Sequence, residues 1–344
     1  MFSKKLHKSS ETLILESGTP LGELEISFTD EGPKDAPVVW FCHALTANAD
    51  PSEWWPGLVG GDRYFDPKRY RLICANVLGS CYGTTGPETT YPGMRQPWCH
   101  LFPAVTVRDM VQVHERLRQH LGIERIHLLI GGSLGGQQAL EWAILQPNLI
   151  ENLSLLATNA QHSPWGIAFN ESQRMAIRAD RTFYNQSLDG GKQGLRAARA
   201  IAMLSYRSYS AYAERQAQPN HEQLDDFRVS SYLHHQGDKL ADRFNAHSYH
   251  LLSKAMDSHN VGRGRQSIAE ALGEVQANCL VMGLQSDVLF PLVEQEYLAK
   301  HLPNATLQVL QSEYGHDGFL LEYKQIERAL TQFLPQTEYL EIAS

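Results

Sequence analysis

Residues 126–136 read Ile-His-Leu-Leu-Ile-Gly-Gly-Ser-Leu-Gly-Gly. An apolar run leads straight into Gly131-Gly132-Ser133-Leu134-Gly135, and a helical pattern follows. This is a G-x-S-x-G turn in the setting such a turn needs, with a buried strand before it and a helix after it. Glycines at 131 and 135 let strand and helix approach closely. Ser133 between them is expected in a sparsely populated backbone conformation that lifts its hydroxyl clear of the sheet. In the segment 137–146 the spacing places Ala139, Trp142, Ala143 and Ile144 near one helical face, and Pro147 ends the pattern. The N-terminus of that helix points at Ser133, so its dipole and free N–H groups favour negative charge there.

A glycine-rich strand-to-helix turn can be merely structural, so the rest of the chain has to decide. A serine of this kind needs an acid and then a histidine further along the chain. Asn278–Gly283 reads as a short buried strand, and Asp287 follows it in Gln285-Ser286-Asp287-Val288-Leu289-Phe290-Pro291. Ala305–Leu310 alternates like a strand, and His316 follows in Tyr314-Gly315-His316-Asp317-Gly318. Taken singly, Asp287 could be a turn cap and His316 one loop histidine among fifteen. Their order, each past a strand end where open α/β sheets bind ligands, favours a joint role. His316 titrates in a range that lets it take the serine proton, and Asp287 would fix its tautomer. The oxyanion of an acyl intermediate needs two donors. One is expected at the N–H of Leu134. The other is expected at Leu45 or Ala44, in the loop after the strand Val38–Cys42. His43, directly after that strand, is read as shaping the loop.

Composition fits an enzyme of this type. The 344 residues allow one large α/β domain with an insertion. A net charge of −8 argues against a nucleic-acid partner, though not against a local basic pocket. The five cysteines (42, 74, 81, 99 and 279) form no C-x-x-C pair, so neither a disulfide framework nor a metal site is expected. Their odd number fits reduced thiols in a cytoplasm. The basic start Met1–Lys8 lacks the apolar core of a secretory signal, and no apolar run approaches the ~20 residues that span a bilayer.

Strand signals at Leu24–Phe28, Val38–Cys42, Tyr70–Asn76 and Leu153–Ala157, with a helix at Val105–Leu121, give an alternating first block. The alternation resumes from about residue 266 and ends in a helix at Tyr323–Phe333. Between them, 163–262 carries helical patterns and almost no strand signal. The expected architecture is a mostly parallel sheet with helices on both faces, formed by residues 1–162 and 263–344. Residues 163–262 form an inserted helical lid over the strand ends.

The chain resembles the homoserine O-acyltransferases of the α/β-hydrolase fold, chiefly the homoserine O-acetyltransferases of methionine biosynthesis. The likeness runs from about residue 35 to 335. It is carried by Cys42-His43-Ala44-Leu45-Thr46, Asn76-Val77-Leu78-Gly79-Ser80-Cys81-Tyr82-Gly83 and Gly131-Gly132-Ser133-Leu134-Gly135-Gly136. It continues in Phe169-Asn170-Glu171-Ser172-Gln173-Arg174, Val261-Gly262-Arg263-Gly264-Arg265, Ser286–Pro291 and Gly315–Leu320. The resemblance implies ping-pong transfer of an acyl group from acetyl-CoA, or another acyl-CoA, through Ser133 to homoserine. No permanently bound cofactor is implied. It also implies that Arg199, Tyr206 and Asp317 hold the amino-acid acceptor, and that two copies join through the lid. Arg263 and Arg265 are read as a solvated loop, with CoA phosphates as the alternative.

The commonest family pattern is not followed at Ala47-Asn48, at Leu134 and at Ser80, all expected close to the acyl group. Succinyl in place of acetyl, and serine in place of homoserine, therefore stay open. Two other classes compete: an esterase of the same fold with water as acceptor, and a catalytically dead binding protein, which an intact serine, acid and histidine set disfavours.

Overall fold

The computed structural model describes residues 1–90, 93, 95–220 and 222–334. Among these residues are ten strands: β1 (Lys4–Ser9), β2 (Leu13–Ile14), β3 (Pro20–Leu21), β4 (Leu24–Glu31), β5 (Val38–Cys42), β6 (Arg71–Ala75), β7 (Ile126–Gly132), β8 (Ile150–Leu156), β9 (Asn278–Leu284) and β10 (Ala305–Leu310). Eight of them form one sheet in the order β1-β4-β6-β5-β7-β8-β9-β10, while β2 and β3 pair separately. The ladders from β6 to β10 are parallel, and those joining β1, β4 and β6 are antiparallel. The sheet is thus mostly parallel, as expected. β1 was not foreseen, because Lys-Lys-Leu-His-Lys-Ser carries neither an apolar run nor a clean alternation.

The helices among the described residues are α1 (Pro51–Trp54), α2 (Val107–His120), α3 (Leu134–Leu145), α4 (Pro164–Ala179), α5 (Lys192–Tyr206), α6 (Tyr209–Arg215), α7 (Arg228–Ala241), α8 (Ala246–Asp257), α9 (Ile268–Gly273), α10 (Leu292–His301), α11 (Gly318–Leu321) and α12 (Tyr323–Phe333). Central strands read as unbroken apolar runs because both faces of the sheet are covered. In β5, Trp40 and Cys42 enter the core on one face, and Val39 and Phe41 enter a second core on the other. Trp40 meets Trp142 of α3 edge-to-face, ring centres 5.0 Å apart.

α3 departs from the sequence reading. Instead of one apolar face, every residue from Leu134 to Ile144 is buried. The helix lies at the centre of the molecule, so its polar residues need internal partners. Gln138 donates to the His43 and Leu134 carbonyls. Glu141, 1% exposed, takes Arg108 at 2.9 Å and Arg265 at 2.6 Å. Arg263 pairs with Glu16 at 2.8 Å. Arg265 is therefore tied to the buried Glu141, whereas Arg263 pairs with Glu16 at the surface of a partly exposed loop.

The chain between β8 and β9 carries α4 to α9, and all of its residues from 164 to 257 assigned to regular elements are helical. It leaves and returns through a narrow neck. Gln161 and Asn260 form an isolated antiparallel bridge, His162 N–H donates to the His259 carbonyl, and Val261 N–H donates to that of Ala160. The segment 335–344, included in the expected core, lies outside the described residues.

Candidate active site

Ser133 stands between β7 and α3 with φ 55° and ψ −126°, a conformation that non-glycine residues rarely adopt. The fold imposes it. Ser133 N–H donates to the Leu156 carbonyl at 3.0 Å, and its own carbonyl accepts from Thr158 Oγ1 at 2.9 Å and Gln137 N–H at 3.1 Å. The flanking glycines are sterically required. A Cβ on Gly131 would stand 2.3 Å from the Gly135 carbonyl oxygen, and one on Gly135 would stand 2.0 Å from that of Cys42.

Asp287 and His316 follow β9 and β10, at the same C-terminal ends of the parallel strands as the elbow after β7. The three residues meet. His316 Nδ1 lies 2.7 Å from Asp287 Oδ2, and Ser133 Oγ lies 3.0 Å from His316 Nε2. Asp287 Oδ1 also accepts the N–H groups of Leu289 at 2.8 Å and Phe290 at 2.9 Å. A carboxylate so held accepts the Nδ1 proton, which leaves Nε2 as acceptor for the serine O–H. The His316 ring stacks on Phe290 at 5.1 Å and is 3% exposed.

The loop after β5 lies across from the elbow. His43 Nδ1–H donates to the Ala44 carbonyl at 2.8 Å, and His43 Nε2 accepts the N–H of Val77 at 3.0 Å. Burial pushes its pKa down to about 4. His43 is thus a neutral brace for the loop, as read from the sequence, and not a second base. Among the described residues, no protein acceptor takes the N–H of Leu45 or of Leu134. Both donors are spare, one in the loop after β5 and one at the first residue of α3.

A cavity of about 520 Å³ opens above Ser133 and His316. Ala44, Leu45, Arg199, Tyr206 and Asp317 also line it, so the structure brings the expected acceptor residues to the serine. The Arg199 guanidinium lies 5.2 Å from the Tyr206 ring centre. Asp317 carries a partner that the sequence reading missed, Arg207 at 3.0 Å. Burial raises the Asp317 pKa, while Arg207, Arg199 and His316 pull it down. Burial also raises the Tyr206 phenol. A second missed residue is Arg243, just past α7. It donates to the Thr46 carbonyl at 2.6 Å and to Tyr82 Oη at 2.7 Å, tying the helical segment to the loop of Leu45. Neither arginine stands out in sequence, because its partner lies far along the chain.

Of the three departures from the family pattern, only Ala47-Asn48 lines this cavity. The Leu134 side chain is fully buried in the core, and Ser80 is buried with its hydroxyl unpartnered, away from the cavity wall. At Ser80 the expected place beside the acyl group is corrected; Leu134 stays next to Ser133 through its backbone N–H, but its side chain takes no part in the cavity wall. Among the described residues there is no cluster of His, Cys, Asp or Glu able to hold a metal ion, and no helix long and apolar enough to cross a membrane.

A strained serine at a strand–turn–helix elbow, with its acid and histidine supplied by later strands, defines an α/β-hydrolase-fold protein. The family model described as the alpha/beta hydrolase fold matches residues 37–323. The chain belongs, more narrowly, to the homoserine O-acetyltransferase family. It is 47% identical over 334 residues to the homoserine O-acetyltransferase of Cyclobacterium marinum, covering 96% of this chain and 95% of that one. Against the enzyme of the same name from Chlorobium chlorochromatii it is 44% identical over 340 residues, with 96% and 95% covered. Among solved structures, homoserine O-acetyltransferase from Staphylococcus aureus superposes with a TM-score of 0.81 at 30% identity, covering 98% and 97%. Esterase E22 shares the fold as well, with a TM-score of 0.88 at 21% identity over 97% and 100% of the two chains. The fold alone therefore leaves open whether water or an alcohol accepts the acyl group.

Proposed function

We propose that this chain transfers the acetyl group of acetyl-CoA to the hydroxyl of L-homoserine, giving O-acetyl-L-homoserine and CoA for methionine biosynthesis. The observation that carries the proposal is the convergence of Ser133, His316, Arg199 and Asp317 on one cavity. The first two suit acyl transfer, and the last two suit a small zwitterion.

In the first half-reaction, His316 Nε2 takes the Ser133 proton as Oγ attacks the thioester carbonyl. The N–H groups of Leu45 and Leu134 receive the oxyanion, where spare, pre-oriented donors are worth most. Collapse breaks the C–S bond, and His316 returns the proton to the departing thiolate. In the second, His316 takes the proton of the homoserine hydroxyl, whose oxygen attacks the acyl-serine. Collapse then returns a proton to Ser133 Oγ. Arg199 would grip the acceptor carboxylate through two parallel N–H bonds. Asp317 would take the ammonium. Arg207 pairs with Asp317 and favours its anionic form against the burial that raises its pKa. The helical segment 163–262 would act as the lid that carries Arg199 and Tyr206 over the serine.

The same reading places the enzyme in the cytoplasm, in keeping with its five free cysteines. It pairs two copies through the lid helices, where Met175, Leu204 and Tyr209 are exposed. The test is a two-by-two assay of acetyl-CoA or succinyl-CoA against homoserine or serine, following thiol release and ester product together. Matched release and product with acetyl-CoA and homoserine are expected. Release without ester indicates an esterase, and a succinyl or seryl product replaces the donor or the acceptor.

A further inference from the structure

The wall of the cavity is charged against the grain of the molecule. The chain carries a net −8, yet the wall holds Lys4, Arg199, Lys239 and Arg243 against only Glu53 and Asp317. Both carboxylates are engaged: Asp317 faces Arg207, and Glu53 accepts from Asn48 Nδ2 at 2.6 Å. Arg199 sits beside Tyr206, next to the reacting groups. Three cations remain, and they come from three separate places: Lys4 from the edge strand β1, Lys239 from the last turn of α7, and Arg243 just beyond that helix. Among the described residues, none of the three pairs with a carboxylate. Lys4 lies 6.0 Å from the centre of the Tyr82 ring, and Arg243 bonds the hydroxyl of that ring, so Tyr82 gathers two of the cations.

Like charges on one concave wall repel, and a low-dielectric wall concentrates their field. Such an arrangement suits a polyanion that spans the mouth. A simple acyl ester offers no such group, and neither does homoserine. The donor does, since CoA carries a pyrophosphate and a ribose phosphate at the end opposite its thiol.

We propose that Lys4, Lys239 and Arg243 form the seat for the CoA phosphates at the rim of the cavity, so that the thioester end reaches Ser133. The inference rests on the acyl-CoA reading of the site. It also gives β1 a functional place, since that strand brings Lys4 to the rim. Arg243 has a second task, because it holds the Thr46 carbonyl beside Leu45. Lys4 and Lys239 are therefore the residues to change.

The experiment compares acetyl-CoA, acetyl-dephospho-CoA and acetyl-pantetheine as donors for the native chain and for the Lys4→Ala/Lys239→Ala double variant. The ratio of kcat/KM for acetyl-CoA to that for acetyl-pantetheine should fall about 10-fold in the double variant, a size suited to two exposed charged contacts. Adenosine 3′,5′-bisphosphate should compete with acetyl-CoA in the native chain and compete about 10-fold more weakly in the variant. The acetyl-dephospho-CoA arm assigns the contact: a ratio already lowered for that donor in the native chain places the ribose phosphate on the lysines, and an unlowered ratio places the pyrophosphate there. A variant ratio equal to the native one overturns the seat, as does an equal loss with acetyl-pantetheine. Failure of the native chain to release thiol from acetyl-CoA would instead overturn the underlying acyl-CoA reading.

Discussion

Gly135→Ala is the sharpest steric test of the elbow. The new Cβ would stand 2.0 Å from the Cys42 carbonyl oxygen and 2.8 Å from its carbon. Ordinary contact begins near 3.4 Å, so the end of β5 and the first turn of α3 would have to part by about 1.4 Å. Neither side is loose. Cys42 is registered against Gly131 in the parallel ladder, and the next carbonyl, of His43, accepts from Gln138 on α3. The two proposed oxyanion donors lie on opposite sides of the clash, Leu45 after β5 and Leu134 on α3. A misplacement of about 1 Å can cost about 100-fold in rate, and overpacking costs about 1–3 kcal/mol. For a chain of 344 residues that is a fall in Tm of about 1–4 °C. The assay is the burst of thiol from acetyl-CoA, followed by stopped flow beside a thermal melt. A burst slowed about 100-fold is expected, while Gly273→Ala, where a Cβ meets nothing within 4 Å, should behave as native or better. A Gly135→Ala chain with a native burst and melt would show that the contact between β5 and α3 does not position the oxyanion donors.

His114 is buried and neutral, Nε2–H donating to Gln138 Oε1, and burial lowers its pKa from 6.5 to about 4. It takes up a proton on unfolding below pH 6.5, so its share of stability is full above that pH and is lost as pH falls toward 4. That share is about 2 kcal/mol between pH 8 and pH 5. In urea denaturation, His114→Gln should lose about 2 kcal/mol less than the native chain over that interval, and an identical loss would exclude this titration. Glu141→Gln leaves Arg108 and Arg265, which are still partly solvated, without their buried counter-charge. It should cost about 2–3 kcal/mol in the same denaturation assay and leave the KM for homoserine unmoved. Asp317→Asn should spare thiol release from acetyl-CoA and raise the homoserine KM by about 10-fold or more, whereas His316→Ala should remove both half-reactions; equal damage to acylation would contradict this division of roles.

The strands that position the site were readable because they are buried on both faces. Val38–Cys42 is apolar at every position and coincides with β5, and Asn278–Leu284 is nearly so. The Ser133, Asp287 and His316 positions followed from turn chemistry at strand ends, and the structure adds their distances. What escaped the sequence was decided by tertiary partners. β1 is a polar edge strand whose pairing with β4 has no local signal. The burial of α3 on all sides depends on the helices around it. Arg207 and Arg243 act through Asp317 and Thr46, which are remote in sequence. Ser80 and Leu134 lie within family motifs in sequence, yet both side chains are buried and neither lines the cavity above Ser133.

The central claim is that the acyl group rests on Ser133 between donor and acceptor. Peptide mass spectrometry of the chain quenched with acetyl-CoA in the absence of homoserine tests it most directly. One acetyl group is expected on the peptide holding Ser133, lost when homoserine is added and absent in Ser133→Ala. An acetyl group on another residue, or native turnover by Ser133→Ala, would contradict it.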